Sequence, residues 1–140
     1  MRRVVLDTDI LSGIIKRKDL HVVAHARVYA EEHGRFTFTS VTAQEIVFGL
    51  ESKQDYKKLA TVRVLFTEHE VIVPTLGDYL RAGEVRGIAR RQGRQIALDD
   101  CLIATTAVRL ELPVSTGNIG HFQEMQQAGL AVEIENWREE

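Results

Sequence analysis

Val4-Val5-Leu6-Asp7-Thr8-Asp9-Ile10-Leu11 is the stretch that decides the fold. With Arg3, its first three residues make a short apolar run of the length and β-branched character of a buried strand. The run stops at Asp7. Asp9 directly precedes Ile10, Leu11, Ile14 and Ile15, whose spacing predicts a helix with Asp9 as its N-cap. A strand that passes straight into a helix, with no hairpin signal between them, is the first half of a parallel β-α-β unit.

The same alternation continues outward. Asp19 can cap a helix over Leu20 to Glu32 that Gly34 ends, and Arg35 to Thr39 alternates as a strand with Phe36 and Phe38 on one face. Thr42 and Glu45 have capping-box spacing ahead of Ile46, Val47 and Leu50. Tyr56 to Glu68 carries Leu59, Val62, Leu65 and Phe66 on one helical stripe. Val71 to Pro74 reads as a third strand, followed by a helix from Asp78 to Gln92 that Gly93 stops. Asp99-Asp100 opens a helix over Cys101 to Leu112, which is apolar almost all round and so should lie deep against the sheet. Pro113 to Ser115 and Leu130 to Ile134 complete five strands. The expected architecture is α/β, with a mainly parallel five-stranded sheet covered by helices on both faces, in a single domain over residues 1–140.

Composition excludes several classes. At 140 residues, 44% hydrophobic and 27% charged, the chain is one ordinary globular domain rather than a multidomain machine. One cysteine, Cys101, cannot build a disulfide framework. No apolar run approaches the roughly 20 residues of a membrane span, so no membrane partner and a cytoplasmic location are expected. Eighteen basic against twenty acidic residues give a net charge of −2, yet Arg81, Arg86, Arg90, Arg91 and Arg94 crowd one segment against Glu84.

The chemistry lies in the acids. In open parallel sheets ligands bind outside the carboxyl ends of the strands, and Asp7, Glu45, Asp100 and Asn118 all follow strands or open the helices after them. With Asp9 as the cap, Asp7 is surplus to structure. Of the adjacent Asp99 and Asp100, only one is needed to cap a helix. Three acids converging on one sheet edge repel, and such a cluster persists only by taking up protons or by holding a cation. Oxygen ligands without Cys or His favour Mg²⁺ or Mn²⁺ over Zn²⁺. Metal-activated water acting on a phosphodiester is nuclease chemistry, and the arginine segment supplies attraction for a phosphate backbone.

At these residues the chain resembles the PIN-domain ribonucleases, and within them the VapC-type toxins of toxin-antitoxin pairs. Leu6-Asp7-Thr8-Asp9-Ile10-Leu11-Ser12 resembles the family's first motif, with Asp7 as the metal-binding acid and Asp9 in place of a more usual Asn. Thr42-Ala43-Gln44-Glu45 through Gly49-Leu50 is similar to the second, which places an acid at Glu45. Ile96 followed by Asp100-Cys101-Leu102-Ile103-Ala104-Thr105-Thr106-Ala107 resembles the third and selects Asp100 over Asp99. Thr116-Gly117-Asn118-Ile119-Gly120-His121-Phe122 resembles the fourth, with Asn118 where many members carry Asp. The resemblance implies a three-layer α/β/α fold, a homodimer, metal-dependent RNA cleavage and silencing by a small VapB-type antitoxin. It assigns Asp7, Asp100 and Glu45 to the metal and Asn118 to a metal-bound water.

Two other readings stand beside it. Asp7-Thr8-Asp9 after a strand also resembles the opening of haloacid-dehalogenase-like phosphatases, with Asp7 as nucleophile, although the last lysine is Lys58, in an exposed helix. The neutral residue at 118 also permits a PIN domain that has lost catalysis and serves only as an interaction module.

Overall fold

The computed structural model describes residues 1–139. Five strands and seven helices alternate along these residues: β1 Val5–Leu6, α1 Thr8–Lys16, α2 Leu20–His33, β2 Thr37–Thr39, α3 Ser40–Ser52, α4 Tyr56–Glu68, β3 Glu70–Ile72, α5 Leu76–Arg91, α6 Leu98–Arg109, β4 Val114–Ser115, α7 Ile119–Gln127 and β5 Ile134–Glu135. The sheet order is β3-β2-β1-β4-β5, and every pairing is parallel. Leu6 lies opposite Phe38 on one side and Ser115 on the other.

Consecutive strand residues face opposite ways, which splits the core in two. Val5 and Val114 enter a cluster built with Ala82, Val85, Ile103 and Phe122 from α5, α6 and α7. Val4 and Leu6 enter the other, with Ile10, Leu11, Val22, Tyr29 and Trp137. These are the two helical layers of an α/β/α sandwich. Residues Cys101 to Ala107 of α6 are buried without interruption, as the apolar run of that helix requires. Among residues 1–139 no helix is long and apolar enough to cross a membrane.

The chain moves from β1 outward to β2 and β3, then returns to the far side of β1 for β4. The sheet therefore has its switch point between β1 and β4, where α/β proteins open a crevice at the strands' carboxyl ends. Asp7 leaves β1 at that point, and Thr116 to Asn118 leave β4.

Several local features differ from the sequence reading. Asp7, not Asp9, is the N-cap of α1, because the Asp7 amide still bonds to Ser115 O at 2.9 Å and holds the backbone extended until the helix begins. The expected capping box of Thr42 and Glu45 does not form. β2 runs directly into α3, so Thr39 is the cap, and Thr42 and Glu45 lie inside the helix. Neither Asp99 nor Asp100 caps α6, whose N-cap is Ala97. The apolar alternation Leu130, Val132, Ile134 is a strand only at its end: the Val132 carbonyl is taken by the Gln126 side chain at 2.7 Å, and pairing with β4 starts at Ile134. Helix α7 was not anticipated.

Asp78 marks a true capping box with Thr75, one turn earlier than the expected helix start. Its carboxylate, 3% exposed, also accepts from Arg109 Nε at 2.9 Å and so ties α5 to α6. Burial alone would raise the Asp78 pKa, but the Arg109 and Thr75 bonds bring it below its ordinary value. Asp78→Asn is expected to cost about 1–2 kcal/mol at neutral pH, because its carboxamide nitrogen replaces an oxygen that accepts from Arg109, Thr75 and Thr106, with the loss at Arg109 limited by its solvent exposure. A lowered carboxylate pKa stabilises above the unfolded value and loses its contribution as pH falls through the folded one. The difference between parent and variant in urea unfolding should therefore narrow in acid. Equal stability at pH 7 would contradict this role.

Candidate metal centre

The site starts from the geometry of Asp7, only 2% exposed at the end of the central strand. Oδ1 accepts from the Thr8 amide at 2.8 Å, and Oδ2 accepts from the Thr116 hydroxyl at 2.8 Å. The Thr116 oxygen also accepts from the Asn118 amide at 2.9 Å, so the loop after β4 is locked to the loop after β1 through one hydroxyl. Thr8 Oγ1 donates to Glu45 Oε1 at 2.6 Å and lies 3.0 Å from Thr42 Oγ1. A hydroxyl has one hydrogen. Thr8 gives its own to Glu45, which makes Thr42 the donor to Thr8.

Asp9 faces the opposite loop. Its Oδ2 accepts from the Gly117 amide at 2.8 Å and lies 3.5 Å from Arg138 Nη2, while its Oδ1 is buried without a partner. Asp100, in the first turn of α6, lies 3.1 Å from Nδ1 of His121 on α7. Asn118 is the N-cap residue of α7, but its side chain makes no capping bond and is exposed.

Charge reaches across these contacts. Burial foremost, then the charges of Asp9 and Asp100, push the Asp7 carboxyl up to about 7, against the opposing pull of the Thr116 and Thr8 bonds. Glu45 is raised too, by burial and then by Asp99 and Asp100, with the Thr8 bond opposing. The fold thus brings Asp7, Asp9 and Asp100 into one electrostatic neighbourhood and sets Glu45 beside it through Thr8. It does not bring three ligands to a point: among the described residues no three His, Cys, Asp or Glu side chains are placed to hold one ion together.

That arrangement suits a hard divalent cation of the kind held by one or two carboxylates and several waters. The donors are all oxygen, one carboxyl is pushed up to about 7 by burial and then by its acidic neighbours, and one buried oxygen of Asp9 lacks any partner.

A hollow of about 340 Å³ opens beside Asp100, lined also by Arg86, Ile96, Ala97, His121 and Glu124. Across Arg86, Gln95 and Ile96 it adjoins a larger groove of about 610 Å³ flanked by Arg90 and Arg94. The groove floor is open because Gly83 and Gly87, one turn apart on α5, present no side chain there. Arg86 is anchored through Nε to Ile96 O at 2.9 Å, and Arg94 to the Glu124 carbonyl, which leaves further guanidinium hydrogens of both for a ligand.

Sequence reasoning missed Thr8, Thr42, Thr116, His121 and Arg138. The threonines carry a faint signal as hydroxyls beside the acids, but His121 and Arg138 reach the site only through tertiary packing.

The PIN domain family model matches residues 4–126. Ribonuclease VapC2 of Haemophilus influenzae is 24% identical over 139 residues, covering 98% of this chain and 99% of that protein. The tRNA(fMet)-specific endonuclease VapC of Shigella flexneri is 28% identical over 124 residues, covering 88% of this chain and 92% of that one. Among solved structures, DNA-bound VapBC of Salmonella typhimurium superposes with a TM-score of 0.78 at 25% identity, covering 98% of this chain and 99% of its counterpart. With an all-parallel sheet, two helical layers and a family match over most of its length, the chain belongs to the PIN-domain family.

Proposed function

We propose that this protein is a divalent-metal-dependent endoribonuclease and the toxin of a toxin-antitoxin pair. The observation that carries this reading is the buried Asp7 carboxyl, crowded by Asp9 and Asp100 at the carboxyl end of the central parallel strand. The PIN match and relatives named as VapC ribonucleases supply the substrate class. Neither the phosphatase reading nor the inactive-domain reading gains support from them.

Asp7 and Asp100 would hold Mg²⁺ or Mn²⁺, and Glu45, positioned by Thr8, would ligate the ion or orient the attacking water. When bound, the ion supplies an acidified water and offsets charge on the phosphoryl oxygens. Thr116 and the Thr8 amide fix both oxygens of Asp7, so the carboxylate needs no reorientation when it loses its proton. The exposed Asn118 amide is free to orient a second water. Arg86, Arg90 and Arg94 attract the RNA backbone along the groove that ends at Asp100. Attack by water with the 3′-oxygen as leaving group would give a 5′-phosphate and a 3′-hydroxyl.

The solved VapBC complexes of Salmonella typhimurium and Rickettsia felis support a VapB-type antitoxin as the partner of this chain. A homodimer is part of the proposal, and the exposed Val73, Leu76, Tyr79 and Leu80 around the start of α5 provide an apolar surface for it. Action in the cytoplasm is part of the same proposal.

Incubation of defined tRNA and rRNA fragments with the purified protein tests the reading. Cleavage is expected with Mg²⁺ or Mn²⁺ and not with chelator, and Asp7→Asn or Asp100→Asn should lower the rate at least ~100-fold. Variants that cut as fast as the parent would overturn it. In filter binding with an inactive Asp7→Asn background, Arg90→Ala should flatten the slope of log affinity against log salt by about 0.7, the share of one phosphate contact on a single strand.

Metal-free stability gives a separate readout. The folded Asp7 pKa, about 7, lies above its ordinary 3.8, so the folded state retains the proton longer. Stability is therefore full below the unfolded value and falls as pH rises from there through about 7. Asp7→Asn should gain about 1–3 kcal/mol over the metal-free parent at pH 8 and little at pH 4. A variant less stable than the parent at pH 8 would show that the ionised carboxylate holds the fold together.

A further inference from the structure

The C-terminal segment after β5 reaches back to the acidic site. Trp137 is buried in the core formed with α1 and α2, its ring 5.3 Å from Tyr29 and 5.9 Å from His25 between centroids. This plug fixes the path of the next residue. The Arg138 amide donates to Asn136 Oδ1 at 2.9 Å, and the side chain turns over the loop between β4 and α7. Its guanidinium Nη2 lies 3.5 Å from Asp9 Oδ2.

The loop residue beneath this contact is Gly117. A Cβ built on Gly117 would stand 2.7 Å from Asp9 Oδ2 and 2.9 Å from Cδ and Nε of Arg138. A side chain at position 117 would therefore displace the ends of the Asp9 and Arg138 side chains from one another. The same peptide donates its N–H to Asp9.

We propose that Arg138 is a resident counter-cation of the acidic site, seated on Asp9 so that it competes electrostatically with a divalent ion bound by Asp7 and Asp100. This rests on the metal reading above. Three observations support it. An arginine keeps its charge at every working pH. Asp7 and Asp9 are held by consecutive residues of one loop, Thr116 and Gly117, so a cation on Asp9 acts on the same acidic site. The contact is single and half exposed, with 48% of the Arg138 side chain open to solvent, so it biases the site without closing it. The neutral Asn118 acts in the same direction, since it too withholds negative charge from the ion.

Calorimetric titration of the full chain with Mn²⁺ alone, at fixed ionic strength, tests this. EPR counting of free Mn²⁺ provides a second readout. Arg138→Gln is expected to bind Mn²⁺ about 3–10-fold more tightly than the parent, the effect of removing one charge several ångströms away in a partly screened site. Arg138→Lys, which keeps the charge, should stay within about twofold of the parent. Arg138 is a surface side chain, and both variants are checked for the parent's thermal transition before titration. An unchanged or weaker affinity in Arg138→Gln, or a Lys variant that shifts with it, overturns the inference and leaves the metal reading intact. Failure of the parent and both variants to bind Mn²⁺ overturns both.

Discussion

A carboxyl group buried at the end of the central strand, with each oxygen held by a neighbouring donor, is the constraint from which the rest of this structure follows. Asp7 closes β1 and caps α1 at once, so it cannot move without disturbing both. The Thr116 hydroxyl that holds it also fixes the loop after β4, and so brings Gly117 and Asn118 to the same edge. Burial and two acidic neighbours then make ionisation of this group costly, a cost that a bound proton or a cation removes.

Hydroxyl groups organise the acids around it. Thr8 draws Glu45 toward the site with one hydrogen bond and receives another from Thr42. Threonine has little conformational freedom at χ1, so these links orient longer carboxylates at small entropic cost. On the opposite flank, Gly117 and Arg138 hold Asp9, while His121 holds Asp100. The acids are thus arrayed by partners that are themselves mostly uncharged. That arrangement suits a site whose net charge is set by what binds there.

Much of this was legible in the sequence. The alternation of short apolar runs with helical stripes yielded the parallel sheet, and α4 has the bounds that its stripe indicates. The placement of Asp7, Glu45, Asp100 and Asn118 near one sheet edge followed from strand ends alone. Helix caps were less legible, for a specific reason. Where a strand runs into a helix without a loop, its last residue or the one directly after it becomes the cap, as Thr39 and Asp7 do. Sequence reasoning sought the caps a few residues later, and so assigned structural duties to Asp9 and Glu45 that they do not have. Capping therefore gives no account of Glu45, whose partner is the Thr8 hydroxyl. Long-range partners left no trace in local pattern: Arg138 lies 129 positions from Asp9 in the chain, and the pairing of β5 with β4, the burial of Trp137 and the bond to Asn136 bring it there.

The central claim is that Asp7 is forced to share a crowded field that a metal ion relieves. Carbon-13 NMR titration of its side-chain carboxyl, with and without saturating Mg²⁺, addresses that claim directly. The account predicts a midpoint near 7 in ion-free protein and a fall to or below the ordinary carboxylate range when the ion is present. A midpoint near the ordinary 3.8 under both conditions would contradict it.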